Sequence, residues 1–365
     1  MRTLYVAAGG GGDAVGALLA RRALGDTDER PPLVTTCAWE RLRIDPVPGP
    51  RARTDFTGLG LVGGEPCEVL PTSGTTPPGR SVLPRLAETS GARIFLHDFD
   101  GGAIGLREQL QRLATSLDAE KLVVVDVGGD IVARGPEPGL RSPLADSITL
   151  AAALGTHIRT SLVVLGPGAD AELQEGAVLN LLREAGASRA GLVAPDDVKG
   201  LGPVLFWHPT EASAVVAAAA EGMRGAVAMR RGRAATPVTD HTAEIWVLDR
   251  PTEESFPLVW ALQGTTDLRE AESAMRSLAV NEIDLERQFA ERHTPLQTSI
   301  SLTQLISEMK AVGATHITRR RASERTDPEA LSQGSMNHGP EYAGLWSERE
   351  LALLAGSSNK GSTHG

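Results

Sequence analysis

Asp126 and Asp130 bracket two glycines in LVVVDVGGD, a spacing that lets two carboxylates face one cleft beyond the end of a strand. Such a pair suits a divalent cation, the hydroxyls of a ribose or a general base. Magnesium asks for only one or two carboxylates when water and substrate phosphates complete its shell. The competing reading is a turn in which each aspartate bonds nearby backbone. Three other apolar runs also end in glycine and acid: LYVAAGGGGD (Leu4 to Asp13), IFLHDFDGG (Ile94 to Gly102) and LVVLGPGAD (Leu162 to Asp170). If the four runs are parallel strands of one open sheet, their carboxyl ends share a rim, where doubly wound folds bind ligands.

In the first run, Gly9, Gly10, Gly11 and Gly12 precede Asp13 at the start of a helical pattern. Glycines permit a tight turn and close approach of a ligand, and the first helical N–H groups favour an anion. Asp13 either orients a hydroxyl or water, or caps the helix. The spacing Gly10-x-Gly12-x-x-x-Gly16 misses the dinucleotide fingerprint by one residue, and no Gly-Lys-Ser/Thr follows. Asp98 and Asp100 before Gly101 and Gly102, Gly128 and Gly129 between the paired aspartates, and Gly168, Asp170 and Glu172 extend the candidate substrate-binding rim. So acidic a rim repels a bare phosphate unless a cation or a basic side chain intervenes. Arg51, Arg53, Arg134, Arg141 and Lys199 are the candidates by chain position. His208 and Glu211, in WHPTEA, are the proton-transfer candidates, although a histidine between Trp and Pro also reads as structural. The segment from Asn281 to Arg287 reads as a capped, solvated helix start.

The elements that must position these residues alternate. Strands are expected at Leu4–Ala8, Leu33–Cys37, Ile94–His97, Leu122–Asp126, Ser161–Leu165, Gly191–Ala194 and Ile245–Leu248, with a weaker one at Leu258–Ala261. Val204–Trp207 reads as a strand or as the approach to a helix. Helices are expected at Asp13–Leu24, Leu106–Leu117, Ser147–Leu154, Gln174–Ala185, Pro209–Glu221, Ile283–Arg292 and Ser301–Val312. This is an α/β chain with a Rossmann-like, doubly wound, mostly parallel sheet. One domain spans 1–318, interrupted by an irregular Gly/Pro-rich stretch from 38 to 90 that reads as a functional loop, lid or edge segment. A polar tail, 319–365, is disordered by composition.

The 365 residues are 41% hydrophobic and 22% charged, enough for a sizeable core. A net charge of -10 leaves no basic stripe for a nucleic acid. The longest apolar stretch, Ala212 to Ala220, is far too short for a membrane span. Two cysteines, Cys37 and Cys67, build neither a disulfide framework nor a zinc motif, which fits a reducing cytoplasm. The expected partner is a small-molecule substrate, with homo-oligomerisation left open.

AAGGGGDAVGALLA, WERLRIDPVPGPR, DVGGDIVARG, GPGADAEL, PTEAS and NEIDLERQ together resemble the family called domain of unknown function 1152, found in archaea and actinobacteria. The resemblance runs from about Leu4 to Ala290. It implies a Rossmann-like domain and no established activity. Within GPGADAEL, Ala171 stands where the family pattern favours glycine.

The expected function is group transfer or bond cleavage on a nucleotide, nucleoside or phosphorylated sugar, in specialised natural-product metabolism. Any cofactor is unidentified, with Mg²⁺ on Asp126 and Asp130 the open option. One alternative is an NAD-type oxidoreductase, which lacks an acid at the end of the second strand, Glu40 lying late. Another is a nucleotide or ligand sensor without chemistry.

Overall fold

The computed structural model describes residues 1–229 and 234–292. The expected helix at 301–312 and the tail at 319–365 lie outside the described residues. Strands β1 (Thr3–Ala7) and β2 (Leu33–Cys37) are followed by four short ones, β3 (Phe56–Thr57), β4 (Gly60–Val62), β5 (Glu65–Val69) and β6 (Gly74–Thr75). Then come β7 (Arg93–His97), β8 (Lys121–Val127), β9 (Arg159–Leu165), β10 (Ser188–Leu192), β11 (Gly225–Met229), β12 (Ala234–Val238) and β13 (Glu244–Asp249).

Nine of these form one sheet, in the order β10-β13-β9-β8-β1-β2-β7-β5-β4. Its centre, β9-β8-β1-β2-β7, is parallel throughout, and the strands outside it on both sides pair antiparallel. In chain order the parallel strands lie 3-2-1-4-5, the doubly wound order, so the direction of winding reverses between β1 and β8. The four glycine-and-acid runs therefore end on one rim, as β1, β7, β8 and β9.

Near-continuous apolar runs are what a sheet covered on both faces requires. Alternate side chains feed two cores. Tyr5, Val34, Val125 and Val163 pack with the helices α1 (Gly11–Ala23), α2 (Leu83–Thr89) and, after five intervening helices, α8 (Ala212–Ala220). Leu4, Val6, Val124 and Val164 pack on the other face. There they meet α3 (Gly102–Ser116), α4 (Pro143–Leu154), α5 (Glu175–Glu184), α9 (Pro257–Leu262) and α10 (Leu268–Leu278). The short α6 (Pro195–Lys199) and α7 (Gly202–Leu205) lead into α8, and α11 (Glu282–Arg292) is the last described element. Gly16 lets α1 lie against β8: a Cβ there would stand 2.2 Å from Val127 Cγ2. Helix-strand contact is one duty of the third glycine in dinucleotide folds.

Several expectations shift. Leu258–Ala261 lies in α9 rather than a strand, because Pro257 starts a helix and a short apolar run does not distinguish the two. Val204–Trp207 falls across the end of α7, and the strand expected at Gly191–Ala194 lies earlier, at β10. The irregular stretch 38–90 supplies edge strands β4 and β5 and the helix α2. Among the described residues no helix is long and apolar enough to cross a membrane.

Candidate active site at the β1/β8 switch point

A cavity of about 400 Å³ opens where the winding reverses. Its walls come from the loop after β1 (Gly9, Gly10, Gly12, Asp13), the segment after β2 (Trp39 to Leu42) and the end of β8 (Asp126, Asp130). The start of α4 (Asp146), the loop after β9 (Asp170, Glu172), the approach to α8 (His208, Glu211) and α11 (Glu282, Glu286) complete them. All five residues expected to do chemistry, Asp13, Asp126, Asp130, His208 and Glu211, line this one cavity. Of the expected substrate-binding residues, Gly9, Gly10, Gly12, Asp170 and Glu172 also line it.

The others do not. Gly11 opens α1 against Val82 and Leu83, and Gly128, Gly129 and Gly168 shape the adjoining turns. Gly128 holds φ +125° with Asp170 so close that a Cβ would stand 2.3 Å from its Cγ. Asp98 is buried at the end of β7, where it accepts bonds from Arg53 N (3.2 Å) and Gln109 Nε2 (3.0 Å), and Asp100 beside it is exposed. That pair belongs to a neighbouring turn. Gly10 makes its close approach to the chain itself, since a Cβ there would meet the Trp39 carbonyl oxygen at 2.3 Å.

The carboxylates on the walls divide by what already occupies them. Glu172 accepts from Arg141 N (2.7 Å), Ser142 N (2.9 Å) and Ser142 Oγ, so it serves the free N–H groups ahead of α4. Glu282 reaches Ala145 N (3.2 Å) and Leu144 N (3.4 Å) in the same helix. Glu40 Oε1 accepts from Val82 N (2.9 Å) and Ser81 Oγ (3.1 Å), tying the segment after β2 to the start of α2. Glu286 holds Trp39 Nε1 (3.1 Å) and Gly49 N (2.7 Å). The helix start at Asn281 is therefore no solvated surface, because Glu282 and Glu286 face inward as structural acceptors.

The aspartates are less committed. Asp13 Oδ2 accepts from Gly9 N at 2.8 Å. Asp126 and Asp146 are 1% and 4% exposed, and neither Asp126 Oδ2 nor Asp146 Oδ1 has a hydrogen-bond partner. One oxygen from each of Asp13, Asp126 and Asp146 lies within 4.8 Å of the others, and Asp130, Asp170 and Glu172 form a second such group. Burial, and then the charge of neighbouring acids, pushes Asp126, Asp130 and Asp146 well above the usual carboxylate range. Burial lifts Asp13 to about 7 against the Gly9 N–H bond, and lifts Glu40 to about 7 against its two donors.

His208 Nδ1 accepts from Thr210 N at 3.2 Å, which places the ring proton on Nε2, a buried nitrogen with no partner. Burial lowers its pKa to about 3, so at neutral pH it is an uncharged donor. Glu211 lies 3.8 Å from Arg41, which lines the cavity with Arg141. The other basic residues expected to compensate the rim are engaged elsewhere or lie off the walls: Arg51 pairs with Asp45, Arg53 bonds Leu96 O, and Arg134 pairs with Glu184.

Asp146 carried no mark in the sequence reading, which began its helix at Ser147. The available signal was Pro143, a favoured first helical residue that puts Asp146 in the first turn. No curated protein and no solved structure matches the chain. Residues 4–290 match one family over most of the chain's length, and the protein belongs to that family, protein of unknown function DUF1152.

Proposed function

We propose that the protein is an enzyme of group transfer or bond cleavage acting on a nucleotide, nucleoside or sugar phosphate. The observation that carries this reading is the single cavity at the β1/β8 reversal, built by separate segments and holding glycine-loop backbone, aspartates, a neutral histidine and two arginines together. Open α/β sheets bind ligands at that point, and about 400 Å³ matches a small metabolite. Gly12 with the first turn of α1, which has no side-chain cap, would receive phosphate oxygens. Arg41 and Arg141 would balance the remaining phosphate charge, and His208 Nε2–H would donate to an oxygen that gains charge during the reaction. Asp130 and Glu211 would take hydroxyls or a proton. Two buried free cysteines suit a reducing cytoplasm.

Strand order favours the NAD reading, since the parallel core has the dinucleotide arrangement. Against it, Glu40, the acid nearest the end of β2, spends Oε1 on Val82 N and Ser81, and the Trp39 carbonyl packs over Gly10.

Thermal denaturation with nucleotides, sugar phosphates and nicotinamide dinucleotides, each with and without Mg²⁺, tests the choice. A phosphorylated ligand at 100 times its Kd adds about 2.7 kcal/mol. Stabilisation by a nucleotide or sugar phosphate with Mg²⁺, followed by its turnover, is the expected result. A flat response to every phosphate ligand overturns the reading, and stabilisation by NAD alone replaces it with the oxidoreductase.

A further inference from the structure

We propose that Asp13, Asp126 and Asp146 together hold one divalent cation, Mg²⁺ or Mn²⁺, at the β1/β8 switch point. The inference deepens the reading above, on which it rests for the role of the cavity. The three acids come from different elements on opposite sides of the sheet: Asp13 from α1, Asp146 from α4 and Asp126 from β8 between them. No local turn requires them to meet, yet one oxygen of each lies within 4.8 Å of the others.

The second observation is the state of those oxygens. A buried acceptor without a partner is costly, and native structures leave few of them. Asp126 Oδ2 and Asp146 Oδ1 are two such atoms, on two side chains of this group that are each more than nine-tenths buried. The Gly9 N–H bond fixes Asp13 through Oδ2 and leaves Oδ1 for another partner. A cation satisfies all three at once.

The neighbouring group of Asp130, Asp170 and Glu172 is a weaker claimant, because Glu172 already serves Arg141 N, Ser142 N and Ser142 Oγ. Three carboxylates with no nitrogen or sulfur ligand select a hard cation that keeps some water, and Mg²⁺ and Mn²⁺ fit that description. Cys37 lies nearby, but its thiol donates to Gly9 O at 3.3 Å and burial keeps it protonated. The open side of the cation would face the cavity, where a phosphate or hydroxyl oxygen of the substrate replaces water.

The test titrates Mn²⁺ into the full chain stripped of metal, with calorimetry and loss of the free-ion paramagnetic signal as readouts. One Mn²⁺ per chain is expected, competed by Mg²⁺. Asp126→Asn and Asp146→Asn should each weaken binding by about 10- to 100-fold. Glu286→Gln, on the same cavity wall but outside the trio, should leave affinity within about twofold, whereas an equal loss in all three variants overturns a defined site in favour of general charge attraction. No Mn²⁺ bound to the folded wild-type chain up to about 10 mM also overturns the proposal, whatever the variants do. So does a second equivalent that disappears in Asp170→Asn, which would mean a cation pair. Mn²⁺ binding without turnover of any phosphate compound sinks the proposed activity and leaves the cation site standing. Turnover by metal-free protein does the reverse.

Discussion

Two groups of three acids sit on either side of the end of β8, and they differ in what their oxygens already do. In the Asp130, Asp170 and Glu172 group, the glutamate is spent on the backbone that leads into α4. In the Asp13, Asp126 and Asp146 group, two buried oxygens have no protein donor. Density of negative charge is the same to the eye in both. The contrast shows that a candidate ligand set is recognised by acceptor capacity left over once helix ends and turns have taken their share.

The largest effects should fall where that spare capacity lies. Asp126→Asn or Asp146→Asn should cut turnover by about 100-fold or more while making the metal-free protein more stable by about 1–2 kcal/mol at pH 7.5, since a buried carboxyl whose ionisation its surroundings oppose is removed. Steady-state kinetics with chemical denaturation checks both, and parallel loss of activity and stability would mean these aspartates are structural. Glu172→Ala should act in the opposite sense, costing about 2–3 kcal/mol because the N–H groups of Arg141 and Ser142 lose their acceptor. An unchanged denaturation midpoint would remove the distinction between the two groups.

Acidity offers a third comparison. Asp13 and Glu40 titrate near 7 in the folded protein and at 3.8 and 4.5 when unperturbed, so their contribution to stability is complete below about 4 and is lost as pH rises through 7. His97 and His208 are lowered from 6.5 to about 3, chiefly by burial, so their contribution is present above 6.5 and lost as pH falls. With the acids more numerous, the metal-free protein should be more stable at pH 5.5 than at pH 8 by at least about 1 kcal/mol, and saturating Mg²⁺ should flatten the difference. Denaturation series at the two pH values, with EDTA or Mg²⁺, would show it; a monotonic fall on acidification in EDTA contradicts it. The smallest effect concerns Ala171, whose φ of +62° lies in the left-handed region. Glycine there should stabilise by about 0.5 kcal/mol, the left-handed cost of alanine less the extra freedom of unfolded glycine. A lower melting temperature for Ala171→Gly would show that the methyl group packs usefully.

The parallel core was legible because each of its strands is an apolar run bounded by glycine or turn residues, and both sheet faces are covered. The convergence of Asp13, Asp126, Asp170 and Glu172 was legible for the same reason, since strand ends in a doubly wound sheet share a rim. Asp146 and the inward-facing Glu282 were not. Their placement depends on where α4 and α11 dock, and an acid in the first turn of a helix has the same sequence appearance whether it faces solvent or a cavity. Asp98 illustrates the converse, an acid at a strand end whose partners, Arg53 and Gln109, draw it into a separate turn, with the Asp100 N–H bonded to it there.

Because α11 supplies Glu282 to α4 and Glu286 to Trp39, the last of the described helices clamps parts made much earlier in the chain. During synthesis, strands β1 to β9 leave the ribosome well before that clamp exists. A nascent chain halted ahead of residue 282 would thus lack a pocket wall, so the site matures only after α11 has emerged.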